Sequence, residues 1–296
     1  MAKEVYWHLP GFCVNFYLYQ VFADLMEKYP EKFNEGYKIG SVYGTFPSAC
    51  WNGGRAVFGN ISRANAEAII DTYDKLHIPV RFTWTNSEIK ELHLKDIYCN
   101  GIMRISENGN NQVLCNSEIL ENYLRKTYPN FKYVSSTTKR IKTLEALEAE
   151  LEKDYFMAVL DYDLNHDEEV LKALEPKASK VEILVDEICY PNCPKRLEHY
   201  KAESVQQLLG KPGKPFDCPN IKTRPAFSVC KERPTFISRE ELPKYIDRGF
   251  ENFKLVGRGL PEDFLVDSLM YYFVKDEESE FIKGKLMATL KKIRGR

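Results

Sequence analysis

The 296-residue sequence predicts an α/β fold, a single eight-stranded parallel (β/α)8 barrel of the TIM type. Three observations carry that prediction. Eight short apolar, strand-like runs recur along the chain, and most are followed by an amphipathic helical stretch. Such alternation implies parallel strands joined by crossovers, as in a doubly wound sheet or a barrel. Eight units in fewer than 300 residues match the usual size of the barrel. Finally, 44% hydrophobic and 29% charged residues at a net charge of −1 suffice to bury a core and keep it dissolved. That balance excludes a disordered polymer, a collagen-like repeat and a membrane bundle. It also excludes a dedicated nucleic-acid coat, although a local basic patch remains open. One barrel domain over 1–296 is expected, with a Cys-rich insertion over 189–234 after the seventh strand.

Taken in order, Val5 to Leu9 opens as a strand and ends at Pro10-Gly11. Phe16, Tyr19, Phe22, Ala23 and Met26 then share one helical face. Tyr37 to Tyr43 is a strand, and a helix from Arg63 to Leu76 follows with Ser62 as its N-cap. Val80 to Trp84 is a strand, Ser87 to Tyr98 a helical segment, and Gln112 to Cys115 a strand after the turn-forming Asn108-Gly109-Asn110-Asn111. Ser117 to Tyr128 reads as a helix, Phe131 to Ser135 as a strand, and Leu144 to Lys153 as a helix behind Thr143. Phe156 to Leu160 and Val181 to Val185 are strands flanking a helix from His166 to Leu174. Cys189 to Pro234 reads as irregular. Ser238-Arg239-Glu240-Glu241 then forms a capping box, and Phe253 to Val256 is the last strand. Two amphipathic segments, Glu262 to Val274 and Ser279 to Ile293, close the chain.

Barrel active sites collect where strands end. The candidate acids and bases at those ends are His8, Asp161 and Glu187. Asn52-Gly53-Gly54-Arg55 follows the second strand. Its glycines allow close backbone approach and Arg55 suits a carboxylate or phosphate, with a plain surface turn as the alternative. Arg258, in Gly257-Arg258-Gly259 after the last strand, is either a second anion anchor or the partner of a nearby acid. Trp84 and Trp51 are candidates to stack on a planar substrate, so the expected substrate contacts are Asn52, Arg55, Trp84 and Arg258. Asp161 and Asp163 lie on one side of the pleat and serve either as acid and base or as helix caps. No Gly-x-Ser-x-Gly, His-Glu-x-x-His or Walker motif occurs.

The N-terminal residues lack a secretory pattern, and no stretch approaches the roughly 20 apolar residues that span a bilayer. A cytoplasmic location with no membrane partner is expected, so the eight cysteines read as reduced thiols or metal ligands. Three residues separate Cys189 from Cys193; 24 residues intervene before Cys218 and 11 more before Cys230. A loop with so little core of its own needs something to hold it. Four thiolates would hold zinc or an iron–sulfur cluster, and spacing does not choose between them. Four unrelated thiols are the alternative. His199 is a reserve ligand. Glu187 and Arg196 flank the first two cysteines, as hydrogen-bonding partners of a cluster or of each other. Cys13, Cys50, Cys99 and Cys115 read as core packing, with Cys13 and Cys50 as weaker redox candidates.

The run Val181 to Glu187 followed by Cys189, Cys193, Arg196 and His199 resembles family 32 of the peptidases of unassigned mechanism, the collagenase-like peptidases. So does the stretch from Phe236 to Tyr245 continuing through Phe253-Lys254-Leu255-Val256-Gly257-Arg258. The resemblance covers the last third of the chain. It implies a barrel, a [4Fe–4S] cluster on Cys189, Cys193, Cys218 and Cys230, and oxygen-independent hydroxylation of a nucleobase or aromatic ring. It also implies a small-molecule or RNA substrate and an electron-donor protein. Collagenase-like peptide cleavage is the first alternative, and a zinc-stapled binding protein without chemistry of its own the second.

Overall fold

The computed structural model describes residues 3–218 and 225–295. Eight strands close on themselves in sequence order, with each neighbouring pair parallel. They are β1 (Val5–Pro10), β2 (Tyr37–Gly44), β3 (Val80–Trp84), β4 (Gln112–Cys115), β5 (Lys132–Ser135), β6 (Met157–Val159), β7 (Val181–Leu184) and β8 (Asn252–Lys254). The helices of the outer ring are α1 (Phe16–Lys28), α2 (Arg63–Lys75), α3 (Ile97–Ser106), α4 (Glu118–Thr127), α5 (Leu144–Leu151) and α6 (Glu168–Leu174). The chain continues through α7 (Arg196–Leu209), α8 (Phe227–Lys231), α9 (Leu242–Asp247), α10 (Glu262–Phe273) and α11 (Ser279–Arg294). Among the described residues, no helix is long and apolar enough to cross a membrane.

The helix starts follow from local chemistry. The Ser62 hydroxyl accepts the Asn65 N–H at 3.1 Å, and Thr143 and Asp167 likewise cap α5 and α6. At Ser238 and Glu241 the reciprocal capping bonds form at 3.2 and 2.9 Å, but the helix itself begins one residue later, at Leu242. Two expected elements differ. The helical segment expected over Ser87 to Tyr98 is displaced: a 3-10 turn covers Glu91–Lys95, and Asp96 caps α3 by accepting the Cys99 N–H. The stretch expected to be irregular contains α7, which runs for 14 residues. Its buried face is Arg196, Tyr200, Ser204 and Gln207. That face is polar, so hydropathy patterning does not reveal it.

Alternation along each strand separates two environments. Outward, Trp7 packs its ring against Phe253, Tyr272 and Phe273 at centroid distances of 5.4, 5.0 and 5.3 Å, joining β1 and β8 to α10. Inside the barrel, Leu114, Val134, Met157 and Val159 form an apolar cluster on β4–β6. The remaining strands contribute a polar network of His8, Ser41, Arg81, Glu182 and Lys254, all buried. Glu182 receives an Arg81 N–H and, at 2.8 Å, the Lys254 ammonium. His8 Nδ1 lies 2.8 Å from the Ser41 hydroxyl and Nε2 lies 3.2 Å from Asn252 Oδ1.

This network titrates in a definite direction. Burial pulls the His8 imidazole down to about 3, outweighing the attraction of Glu182. The unfolded chain therefore takes up a proton near the ordinary histidine pKa that the native state refuses. Stability is lost as pH falls from about 6.5 toward 3, at no more than about 1.4 kcal/mol per pH unit from this group. His8→Gln should flatten the unfolding free energy between pH 6.5 and 5, measured by urea titration. An unchanged slope would show that His8 does not carry it.

Candidate functional site

The C-terminal ends of the strands surround a cavity of about 80 Å³. Tyr43 comes from the end of β2, and Thr83 and Thr85 from β3 and the loop after it. Ser136 to Thr138 follow β5, Glu187 follows β7, and Lys254, Val256, Gly257 and Arg258 come from β8 and its loop. Its charged lining consists of four cations, Arg55, Arg196, Lys254 and Arg258, against the single carboxylate of Glu187. A mouth so composed attracts anions.

Each cation is held differently. The Arg258 guanidinium donates to Asn52 Oδ1 and Thr83 Oγ1, both at 2.9 Å, and to the Gly53 carbonyl at 3.0 Å. All three acceptors are neutral, and burial pulls the group down to about 10. Arg55 donates to the Gly54 carbonyl at 2.9 Å. Among the described residues, neither arginine makes an ion pair with a carboxylate. Arg196 donates to Glu187 at 3.2 Å and lies over the rings of Tyr200 and Tyr162, 4.5 and 5.6 Å from their centroids. Lys254 sits 4.1 Å from the Tyr43 ring centroid, and burial draws its ammonium down to about 8 despite the support of Glu182.

The loop carrying Arg55 is fastened from two sides. A Cβ on Gly53 would lie 2.3 Å from the Thr85 carbonyl oxygen, so only glycine lets this backbone reach the end of β3. From the other side, Glu203 accepts the Ala56 N–H at 2.6 Å and Gln207 accepts the Val57 N–H at 2.7 Å. The helix missed in the sequence thus locks the Arg55 loop over the barrel.

Several expected residues fall elsewhere. Asn52 is fully buried and positions Arg258 instead of lining the cavity. Trp84 and Trp51 are both sealed in the core, Trp84 stacked on Phe82 at 5.3 Å and Trp51 packed edge-on against Trp84 at 5.8 Å. Their faces are taken by protein, so neither stacks on a substrate. Asp161 pairs with Arg140 at 3.2 Å and accepts the Asp163 N–H, while Asp163 pairs with Arg140 and Lys142. Asp161 is the cap of a 3-10 turn, as the alternative had it, whereas Asp163 is held by ion pairs. His8 lies in the barrel interior; neither it nor Ser41 lines the mouth cavity. Glu187 does reach the mouth, where it accepts the Cys189 N–H at 2.9 Å and pairs with Arg196.

A second cavity, about 270 Å³, adjoins the first. Arg55 and Arg196 line both, and Cys189, Cys218, His199 and Glu203 belong to the second. His199 is stacked on Phe216 at 4.7 Å and lies 3.5 Å from Glu203. Cys193 is near enough to Cys189 to push its thiol up, adding to the effect of burial. Burial pushes both the Cys189 and the Cys230 thiols up, and the Glu187 charge adds to it. Among the described residues, no three of these four sulfurs lie within 4.8 Å of one another. A tetrahedral zinc site needs edges of about 3.8 Å, so this geometry does not fit a zinc staple. The thiolates of a four-iron cube stand further apart than that; of the four, Cys189 and Cys218 line this cavity, whereas Cys230 is fully buried in the hydrophobic core.

A closed barrel with a cation-lined mouth and a Cys-lined annex is therefore the class of structure at hand. No family model matches the chain, and no curated protein matches it. Among solved structures it is similar to the U32 peptidase Mk0906, with a TM-score of 0.56 over 88% of this chain and 96% of that one at 17% identity. The two share a fold.

Three important residues escaped the sequence reading: Arg81, Glu182 and Lys254. Their signal was present, because each is the lone charge in an otherwise apolar or uncharged strand. A charge there must be paired inside a barrel.

Proposed function

We propose that this chain is a redox enzyme of the collagenase-like U32 type, which binds a small anionic substrate at the barrel mouth beside an iron–sulfur cluster. The observation that carries the reading is the shared wall. Arg55 and Arg196 border both the cation-lined mouth and the cavity containing Cys189 and Cys218. Cys189, Cys193, Cys218 and Cys230 would hold the cluster, which supplies one-electron transfer when bound. Arg258 and Arg55, neither within ion-pair distance of a carboxylate among the described residues, bind and orient the anionic group, with Glu203 near Arg55. Glu187 fixes Arg196 and the backbone of Cys189. Oxygen-independent hydroxylation of a planar anionic compound is the reaction we assign, with reducing equivalents from an electron-donor protein.

Peptide cleavage is the second reading, favoured by the name of the structural neighbour. Against it, the mouth hydroxyls of Ser136 and Thr138 bond to each other at 2.9 Å, and no histidine lines this cavity to activate them.

The anionic preference is directly testable by thermal shift with a panel of small carboxylates and phosphates. A ligand that stabilises the wild-type chain should lose about 10- to 100-fold in affinity in Arg258→Met, the effect of removing hydrogen bonds to a charged group. Equal affinity in the variant, or a preference for cationic or neutral compounds, would refute the assignment of the mouth.

A further inference from the structure

A separate thiol pair lies beneath the Arg55 loop. The Cys50 and Cys99 sulfurs stand 3.8 Å apart, and an Asp96 carboxylate oxygen lies within 4.8 Å of both. Among the described residues, this is the one group of three or more such ligand atoms drawn so closely together. We propose that Cys50, Asp96 and Cys99 form a binding site for a single thiophilic divalent cation, zinc being the natural occupant.

Distance is the first argument. Two thiolates on one tetrahedral zinc, each about 2.3 Å from the metal, are separated by about 3.8 Å. A disulfide holds its sulfurs at about 2.05 Å. The observed separation, which the free thiols bridge by a hydrogen bond, is the one two thiolates on a shared ion would keep. The second argument is the carboxylate. Asp96 caps α3 through Oδ1, which accepts the Cys99 N–H at 2.7 Å. Its other oxygen takes no protein donor among the described residues. Third, the ligand-bearing segments are already anchored. Asn86 donates to the Cys50 carbonyl at 2.9 Å, and the Trp51 indole donates to the His93 carbonyl at 2.8 Å.

Cys99 is buried while Cys50 and Asp96 are half-buried. Binding displaces one proton from each thiol to solvent, and neither sulfur changes oxidation state. The ion would tie the loop over 45–62 to the start of α3. Asn52 and Arg55 follow Cys50 by two and five residues in that loop. The site therefore steadies the arm that delivers Arg55 to the mouth.

The test is an anaerobic cobalt(II) titration of the full, reduced, chelator-treated chain, followed by its thiolate-to-metal charge-transfer absorption. A Cys189→Ser, Cys218→Ser background removes two of the four cluster thiols, so a band that survives there and vanishes with Cys50 or Cys99 belongs to this site whatever becomes of the cluster reading. In that background the chain should bind one cobalt, displaceable by zinc, and adding Cys50→Ser or Cys99→Ser should abolish the band. Asp96→Asn keeps the helix cap, because asparagine caps equally well. It should weaken binding at least about tenfold while leaving the melting temperature of the metal-free protein unchanged. An unaltered band in the Cys50 and Cys99 variants would overturn the proposal. So would recovery of a Cys50–Cys99 disulfide that, once reduced, binds no cobalt.

Discussion

Glu182→Ala is expected to lower the unfolding free energy by about 3–5 kcal/mol, the cost of breaking a buried ion pair by removing one partner. Glu182 is fully buried and is the shared counter-charge for Arg81 and Lys254. Burial alone would raise its carboxyl; Arg81 and Lys254 instead hold it far below the usual carboxylate range. Alanine would leave two cations facing each other inside the barrel without an anion. Arg81 can still donate to Gln112 Oε1, 2.6 Å away, but a neutral acceptor does not compensate its charge. The second substitution Lys254→Met, added to Glu182→Ala, should recover part of the loss by removing one stranded charge. Urea unfolding at pH 7 decides the matter. A loss below about 1 kcal/mol would mean that the interior network contributes no more than a surface pair.

The barrel was legible because its signal is local. Each strand is an apolar run of a few residues, and each outer helix repeats its apolar positions at helical spacing, so no long-range information is needed. Even the brief Gln112–Cys115 strand could be read, since the Asn108–Asn111 turn isolates it. The mouth was only partly legible. Arg55, Glu187 and Arg258 follow strand ends and do reach the cavity.

What failed was everything set by partners distant in sequence. Asp161 and Asp163 look like a free acid pair until Arg140 and Lys142 arrive from the loop after β5. Trp84 ends a strand-like run and Trp51 lies in the loop after one, as pocket aromatics do, but the two pack together, with Trp84 stacked on Phe82. The α7 helix buries polar groups against polar loop backbone, a surface that hydrophobic periodicity cannot register. Cys50 was weighed as a redox partner of Cys13, whereas its neighbour is Cys99, brought in by a helix starting later than expected.

Iron content tests the central claim most directly, because the redox reading rests on a cluster held by Cys189, Cys193, Cys218 and Cys230. Chain purified and reconstituted without oxygen should carry about four irons, with matching sulfide and the broad brown absorbance of a thiolate cluster. Cys189→Ser and Cys218→Ser should each lose most of that iron while melting as a folded barrel, since neither position holds the strands together. The effect would be close to all-or-none, larger than any expected from a single contact at the mouth. Colourless, iron-free protein after careful reconstitution, or iron that persists in both variants, would contradict the account.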